Sequence, residues 1–128
     1  MDNRCVLKKP ERISFQREID RLFKHGDGFI SYPLRVVFLV QKPVSGATVS
    51  VLISVSKKKI KHAVDRNRMK RLIREAYRLN KAALIQDCKE KETGLLIAFL
   101  FIGKELYPWK DMEETMRKVL NTVREKLL

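Results

Sequence analysis

The run from Leu95 to Ile102 is eight apolar residues without a break, and it limits the fold more than any other stretch. It is far shorter than the roughly 18 residues a membrane-spanning helix needs. With Gly94 in front of it, the segment 94–102 reads as a strand buried inside a domain. Two other stretches alternate. In 34–40, Leu34, Val36, Phe38 and Val40 share one face and Arg35, Val37 and Leu39 the other. In 48–55, Val49, Val51, Ile53 and Val55 alternate with Ser50, Leu52 and Ser54. Period two marks a half-buried strand. Pro33 stands before the first of these, and a turn over 41–47 with Pro43 and Gly46 joins them, so they are expected to pair as an antiparallel hairpin.

Helical spacing fills most of the rest. Ser14 is a good N-cap, Phe15, Ile19, Leu22 and Phe23 follow on one face, and His25-Gly26 closes the helix. Residues 1–13 read as an extended basic arm. From about His62 to Lys81 a second helix sets Met69, Leu72, Ile73, Ala76 and Ala83 on an apolar stripe. Asn67, Lys70, Arg71, Arg74, Arg78 and Lys81 form its polar one. Pro108 opens a last helix whose N-terminal end carries Asp111, Glu113 and Glu114. Its buried stripe is Met112, Met116, Val119, Leu120, Val123 and Leu127. The 128 residues are about one domain's worth, a mixed α/β domain over 1–128. Cys5 and Cys88 have no CxxC partner and the first ten residues have no apolar core of a signal peptide, so a reduced, cytoplasmic setting is expected.

Charge is concentrated. Between Lys57 and Lys81 eleven Lys and Arg meet only Asp65 and Glu75, a net +9 out of +13 for the chain. A strand end followed by lysines and an arginine-studded helix can cradle phosphates through ammonium groups, guanidinium forks and helix N-terminal amides. A polyanion, nucleic acid first, is therefore the expected partner. Three further uses of the same helix stay open: a ribosomal or assembly protein on rRNA, a DNA-binding domain, and a membrane-surface helix. The DNA reading lacks a preceding helix for a helix-turn-helix. The membrane reading would spend Leu72, Ile73 and Ala76, which the core needs.

Nothing in the chain points to protein-borne catalysis. His25 and His62 could serve as an acid–base pair only if brought together. The carboxylates are scattered, the two Cys and two His lack zinc-site spacing, and no glycine-rich run precedes Lys57-Lys58-Lys59. Trp109, beside Pro108, reads as a packing residue.

The stretch Ser54-Val55-Ser56-Lys57-Lys58, followed by Ala63-Val64-x-Arg66-Asn67-Arg68-x-Lys70-Arg71-x-x-Arg74-Glu75, closely resembles the bacterial ribonuclease P protein family and its Arg-Asn-Arg helix. Leu7-Lys8-Lys9 with Arg12, and Phe23-Lys24-His25-Gly26, resemble that family's arm and first helix. The resemblance implies an α+β fold, a single compact α/β sandwich whose four-stranded sheet has the order α-β-β-β-α-β-α, similar to the ribosomal protein S5 domain 2-like fold. It implies an accessory subunit, monomeric within a ribonucleoprotein, whose catalytic RNA holds the magnesium ions and removes the 5′ leader of precursor tRNA. The RNA subunit would bind Lys57, Lys58, Lys59, Lys61, Arg66, Asn67, Arg68, Lys70, Arg71 and Arg74. A cleft between the first helix and the sheet would hold the leader against Phe15, Ile19, Phe23, and Val37 or Phe38. Three departures stand out. Ile19 occupies a position commonly Phe, the strand position often Tyr is Val37 or Phe38, and Lys59-Ile60-Lys61-His62 replaces a Gly-Asn turn with a more cationic, less tight loop.

Overall fold

The uninterrupted apolar run is the middle of the molecule. In the computed structural model, which describes residues 16–42 and 48–127, it forms β4 (Gly94–Phe101). It lies between β2 (Leu34–Gln41) and β3 (Val49–Val55), with β1 (Asp27–Ser31) outside β2, so the order across the sheet is β1-β2-β4-β3. β1 with β2 and β2 with β4 run antiparallel, and β3 runs parallel to β4. The expected hairpin between 34–40 and 48–55 does not form, because β4 inserts between them. The reason is coverage: β4 is apolar on both faces, so it takes a place where both faces are packed.

Alternate residues of the sheet feed two unequal cores. Leu34, Val36 and Phe38 of β2, Val49, Val51 and Val55 of β3 and Leu95, Ile97, Phe99 and Phe101 of β4 belong to the larger one. There they meet α2 (Ala63–Asn80), α3 (Ala82–Glu90) and α4 (Trp109–Leu127). Val37, Leu96 and Ala98 point the other way and pack with Leu22 of α1 (Gln16–His25). Burying each Leu, Ile, Phe or Met of this kind is worth roughly 1.5–3 kcal/mol. Gly26 lets α1 turn tightly into β1: a Cβ there would lie 2.3 Å from the Leu22 carbonyl oxygen and 2.9 Å from that of Phe38. The first strand has little alternation of its own. Phe29 joins it to the large core, edge-on to Phe38 with centroids 6.3 Å apart. The Tyr32–Pro33 peptide between β1 and β2 is cis.

The second helix differs from expectation at its end. α2 stops at Asn80, whose side-chain amide donates to the Ala76 carbonyl at 2.8 Å, and a separate α3 begins at Ala82. Tyr77, one turn beyond Ile73, completes the apolar stripe and packs on Phe99 at 5.6 Å. Lys81, expected on the polar face, is therefore buried at the junction, and Ala83, expected on the apolar stripe, is exposed. The element order is α-β-β-β-α-α-β-α, one helix more than expected. α3 ends in a Schellman turn: Thr93 N–H donates to Cys88 C=O at 3.0 Å and Glu92 N–H to Lys89 C=O at 3.1 Å. Glu92 adopts the left-handed φ of 55° this requires. Asp87 accepts from Arg124 Nε at 2.6 Å, tying α3 to α4. In α4 the stripe Met112, Met116, Val119, Leu120 and Val123 is buried as its spacing predicts. No helix among the described residues is long and apolar enough to cross a membrane. The arm over 1–13, Ser14, Phe15 and the turn residues 43–47 lie outside the described residues.

Candidate nucleic-acid interface

The lysine-rich loop between β3 and α2 is closed by its own hydrogen bonds. Ile60 is buried in the large core and its N–H donates to Ser56 C=O at 3.0 Å. Ser56 Oγ accepts from Lys58 N–H at 3.2 Å, a side-chain turn of the kind serine favours. Arg66 donates from Nη1 to the carbonyl oxygens of Ile60 at 3.0 Å and Lys61 at 2.7 Å. Lys59 Nζ donates to Ile102 C=O at 3.0 Å, clamping the loop to the segment after β4. Two of the expected RNA-binding cations, Lys59 and Arg66, thus shape the loop, while Lys57, Lys58 and Lys61 stand exposed on it.

The rest of the cationic set lies on α2. Asn67, Arg71 and Arg74 recur at i, i+4 and i+7 and are exposed, as is Arg68 beside them, and Lys70 is half-buried at the flank. Their face opposes Met69, Ile73 and Ala76, which are buried. Glu75, the acid on this side, is paired with Arg78 through two hydrogen bonds, one of them 3.1 Å from Nε to Oε2. The Arg78 guanidinium holds that carboxyl below the usual carboxylate range. Glu75 is thus occupied within its own helix.

On the other side of the sheet the expected cleft residues do not all meet. Phe38 points into the large core beside Phe29, so it is not a cleft residue. Val37 does face α1 but is buried beneath it, only 5% exposed. Ile19 packs half-buried on the same small core, and Phe23 is 42% exposed at the end of α1. Beside α1 the sheet carries residues the sequence reading passed over. Ile30, Arg35, Leu100 and Ser54 form one row across all four strands. Leu52 and Leu100 are half-buried, and Ile30, Arg35 and Ser54 are exposed. The signal was present in the alternation: once Phe38 is core, Arg35 and Ser54 must share the opposite face. This row lies at the sheet end where β3 runs into the basic loop, so the open face and the loop lysines adjoin. His25 ends the helix on one face of the sheet and His62 precedes the helix on the other, so the two are not a catalytic pair.

A family model for ribonuclease P matches residues 7–124. The chain belongs to the ribonuclease P protein family. It is 43% identical over 114 residues to the ribonuclease P protein component of Porphyromonas gingivalis, covering 89% of this chain and 83% of that one. With the corresponding protein of Chlorobium phaeobacteroides it shares 35% over 130 residues, 92% of this chain and 88% of the other. Among solved structures, the Staphylococcus aureus ribonuclease P protein has the same fold, with a TM-score of 0.68 at 22% identity over 88% of this chain and 94% of its own. The Thermotoga maritima ribonuclease P protein superposes with a TM-score of 0.54 at 29% identity, covering 91% of each chain.

As a member of the ribonuclease P protein family, the chain is an accessory subunit of an endoribonuclease of tRNA 5′ processing and works with an RNA partner. Ribonuclease P is generally metal-dependent. Among the described residues no three His, Cys, Asp or Glu side chains gather as a metal site requires. The cationic loop and helix do not fit a metal held by this chain.

Proposed function

We propose that the exposed face of α2, with Asn67, Arg68, Lys70, Arg71 and Arg74, and the loop lysines Lys57, Lys58 and Lys61 bind the catalytic RNA of ribonuclease P. Lys59 and Arg66 hold the loop in the shape that presents those lysines. The observation that carries this reading is a dense row of exposed cations on a backbone fastened before any RNA arrives. Such preorganisation lowers the ordering cost of binding, and guanidinium forks suit phosphate oxygens.

The open sheet face beside α1 is the proposed seat of the 5′ leader of precursor tRNA, with Phe23 and Ile19 at one border and Arg35, Leu52 and Leu100 on its floor. Stacking on an aromatic ring is tolerant of base identity, as a processor of many tRNAs needs. Mature tRNA has no leader, so contacts there favour substrate over product. The protein thereby supplies charge and position, and the bond is broken at the RNA subunit, which holds the magnesium ions. Its cations offset repulsion between two polyanions and reduce the magnesium required. The setting proposed is the bacterial cytoplasm.

Cleavage of a precursor tRNA at low-millimolar magnesium tests this with protein alone, ribonuclease P RNA alone, and both together. The mature 5′ end should form efficiently only in the mixture. Tight, salt-sensitive RNA binding with no stimulation of cleavage would overturn the proposal.

A further inference from the structure

Beyond the cationic face and the leader surface, one end of the fold presents an aromatic platform with no role in either. Tyr32, in the turn between β1 and β2, is 60% exposed. Its ring meets the half-buried ring of Tyr107 edge-on, with centroids 6.5 Å apart. Leu106 and Trp109, on the same segment as Tyr107, are also exposed. Large apolar groups left in water at one end of a small domain mark an interaction surface more often than chance.

Three chain segments are bolted together beneath this pair. Pro33, next to Tyr32 and buried, accepts at its carbonyl from Ile102 N–H at 2.8 Å. Ile102 in turn accepts from Lys59 Nζ at 3.0 Å, which reaches over from the basic loop. Gly103 permits the close passage, since a Cβ there would sit 2.7 Å from the Phe101 ring and 3.3 Å from Pro33 Cβ. The Tyr107 N–H points at Met69 Sδ of α2 at 3.4 Å. The tyrosines are therefore carried on the same rigid body as the loop lysines and the N-terminal half of α2.

We infer that the Tyr32–Tyr107 platform stacks an unpaired base of the ribonuclease P RNA, adding a non-ionic contact to the ionic one made by the loop and α2. The inference rests on the proposed function above. Charge complementarity selects the occupant. Lys104 is exposed on the segment that carries Tyr107, and Lys57 and Lys58 are exposed on the loop that Lys59 fastens to Ile102, while Glu105 and Asp111 are the exposed carboxylates of the 103–111 segment. A backbone drawn in by those ammonium groups brings bases within reach of the rings. Two aromatic side chains already in contact lose little freedom when a base arrives, and stacking is worth enough per base to be seen in affinity.

The test measures binding of the full chain to ribonuclease P RNA over a salt series, with base-specific chemical probing of the RNA. Tyr32→Ala should weaken binding about tenfold at every salt concentration, leaving the slope of log affinity against log salt unchanged. Tyr32→Leu keeps bulk against Tyr107 without a π face and should lose as much, while Tyr32→Phe should bind like the parent. An unpaired nucleotide protected by the parent and by Tyr32→Phe should become reactive with Tyr32→Ala. Unchanged affinity for Tyr32→Ala, or equal losses for Tyr32→Phe and Tyr32→Ala, would overturn the inference while leaving the proposed function intact. So would a loss confined to precursor tRNA, which would move the platform to the substrate. Failure of the parent chain to bind the RNA would instead remove the reading on which the platform depends.

Discussion

On one side of the sheet the loop over 56–62 and α2 carry their cations on a backbone pinned by Ile60, Ser56, Lys59 and Arg66. On the other side α1 rests on Leu22 and Ile19 and on a hydrogen bond from Arg21 to Gln41, and the surface beside it is shared among four strands. The first is one continuous segment, where neighbours in sequence are neighbours in space. The second is assembled from residues far apart in the chain. A polyelectrolyte contact needs charge density and a fixed frame, which a loop and a helix supply locally. A seat for a flexible strand needs an open face, which only a completed sheet provides.

The largest expected effect breaks the first side alone. Reversing Arg68, Arg71 and Arg74 to Glu should cut affinity for ribonuclease P RNA about a thousandfold near physiological salt and flatten the salt slope by about three. Urea unfolding should barely change, because all three are exposed. If affinity survives, the RNA lies elsewhere. Next, Phe38→Ala should cost about 3–4 kcal/mol in urea unfolding, as expected of a core ring, whereas Phe23→Ala should stay within about 1 kcal/mol. Phe23→Ala should instead reduce discrimination between precursor and mature tRNA several-fold. The opposite pattern would return Phe38 to the leader surface.

Arg66→Ala separates shape from charge on the cationic side. It should weaken RNA binding about tenfold and speed amide exchange across 56–62, since two carbonyls lose their donor. Arg66→Lys should recover part of it, because both bonds leave the single nitrogen Nη1 and an ammonium has donors enough for two carbonyls. Glu92→Gly, remote from both sides, should raise stability by about 1 kcal/mol by relieving a left-handed residue that carries a Cβ. RNA affinity should hold within about twofold, showing that binding differences elsewhere are not stability effects.

The smallest effect concerns acid. Glu75 has its folded pKa below its ordinary value of about 4.5, so its pairing with Arg78 contributes above that pH and is lost as pH falls through the lower folded value. A stability titration in that acid range should show a shallow loss that Glu75→Gln abolishes. The pair is largely solvated, so the loss is small.

How far the sequence reveals this molecule follows from where each signal resides. The stripe Met112 to Val123 and the alternation in 48–55 are local patterns, and each is found where spacing puts it; the cation cluster is local too, but Lys81 at its end is buried. Strand pairing is not local: nothing within 34–40 or 48–55 says that a strand beginning only at Gly94 will part them. β1 is short and polar enough to escape periodicity, and only Phe29 ties it inward. The break at Lys81 has no Gly or Pro to announce it. For the leader side, a one-residue choice between Val37 and Phe38 decides which face a ring occupies, and the packing of Phe29 on Phe38 settles it.

The place of β4 also sets an order of events on the ribosome. When the chain has been made only as far as Thr93, nothing can fill the place between the segments that become β2 and β3, and each lacks the central partner for its backbone donors and acceptors. The basic helix emerges before the strand that anchors the sheet beneath it, and strands joined over such sequence distances close slowly. A growing chain therefore displays its most cationic segment to a cell full of RNA before it has a folded body to hold that segment in place. Fusions that stall synthesis just before Gly94 should accumulate aggregated or RNA-coated chains, and those that stall beyond Leu127 should not.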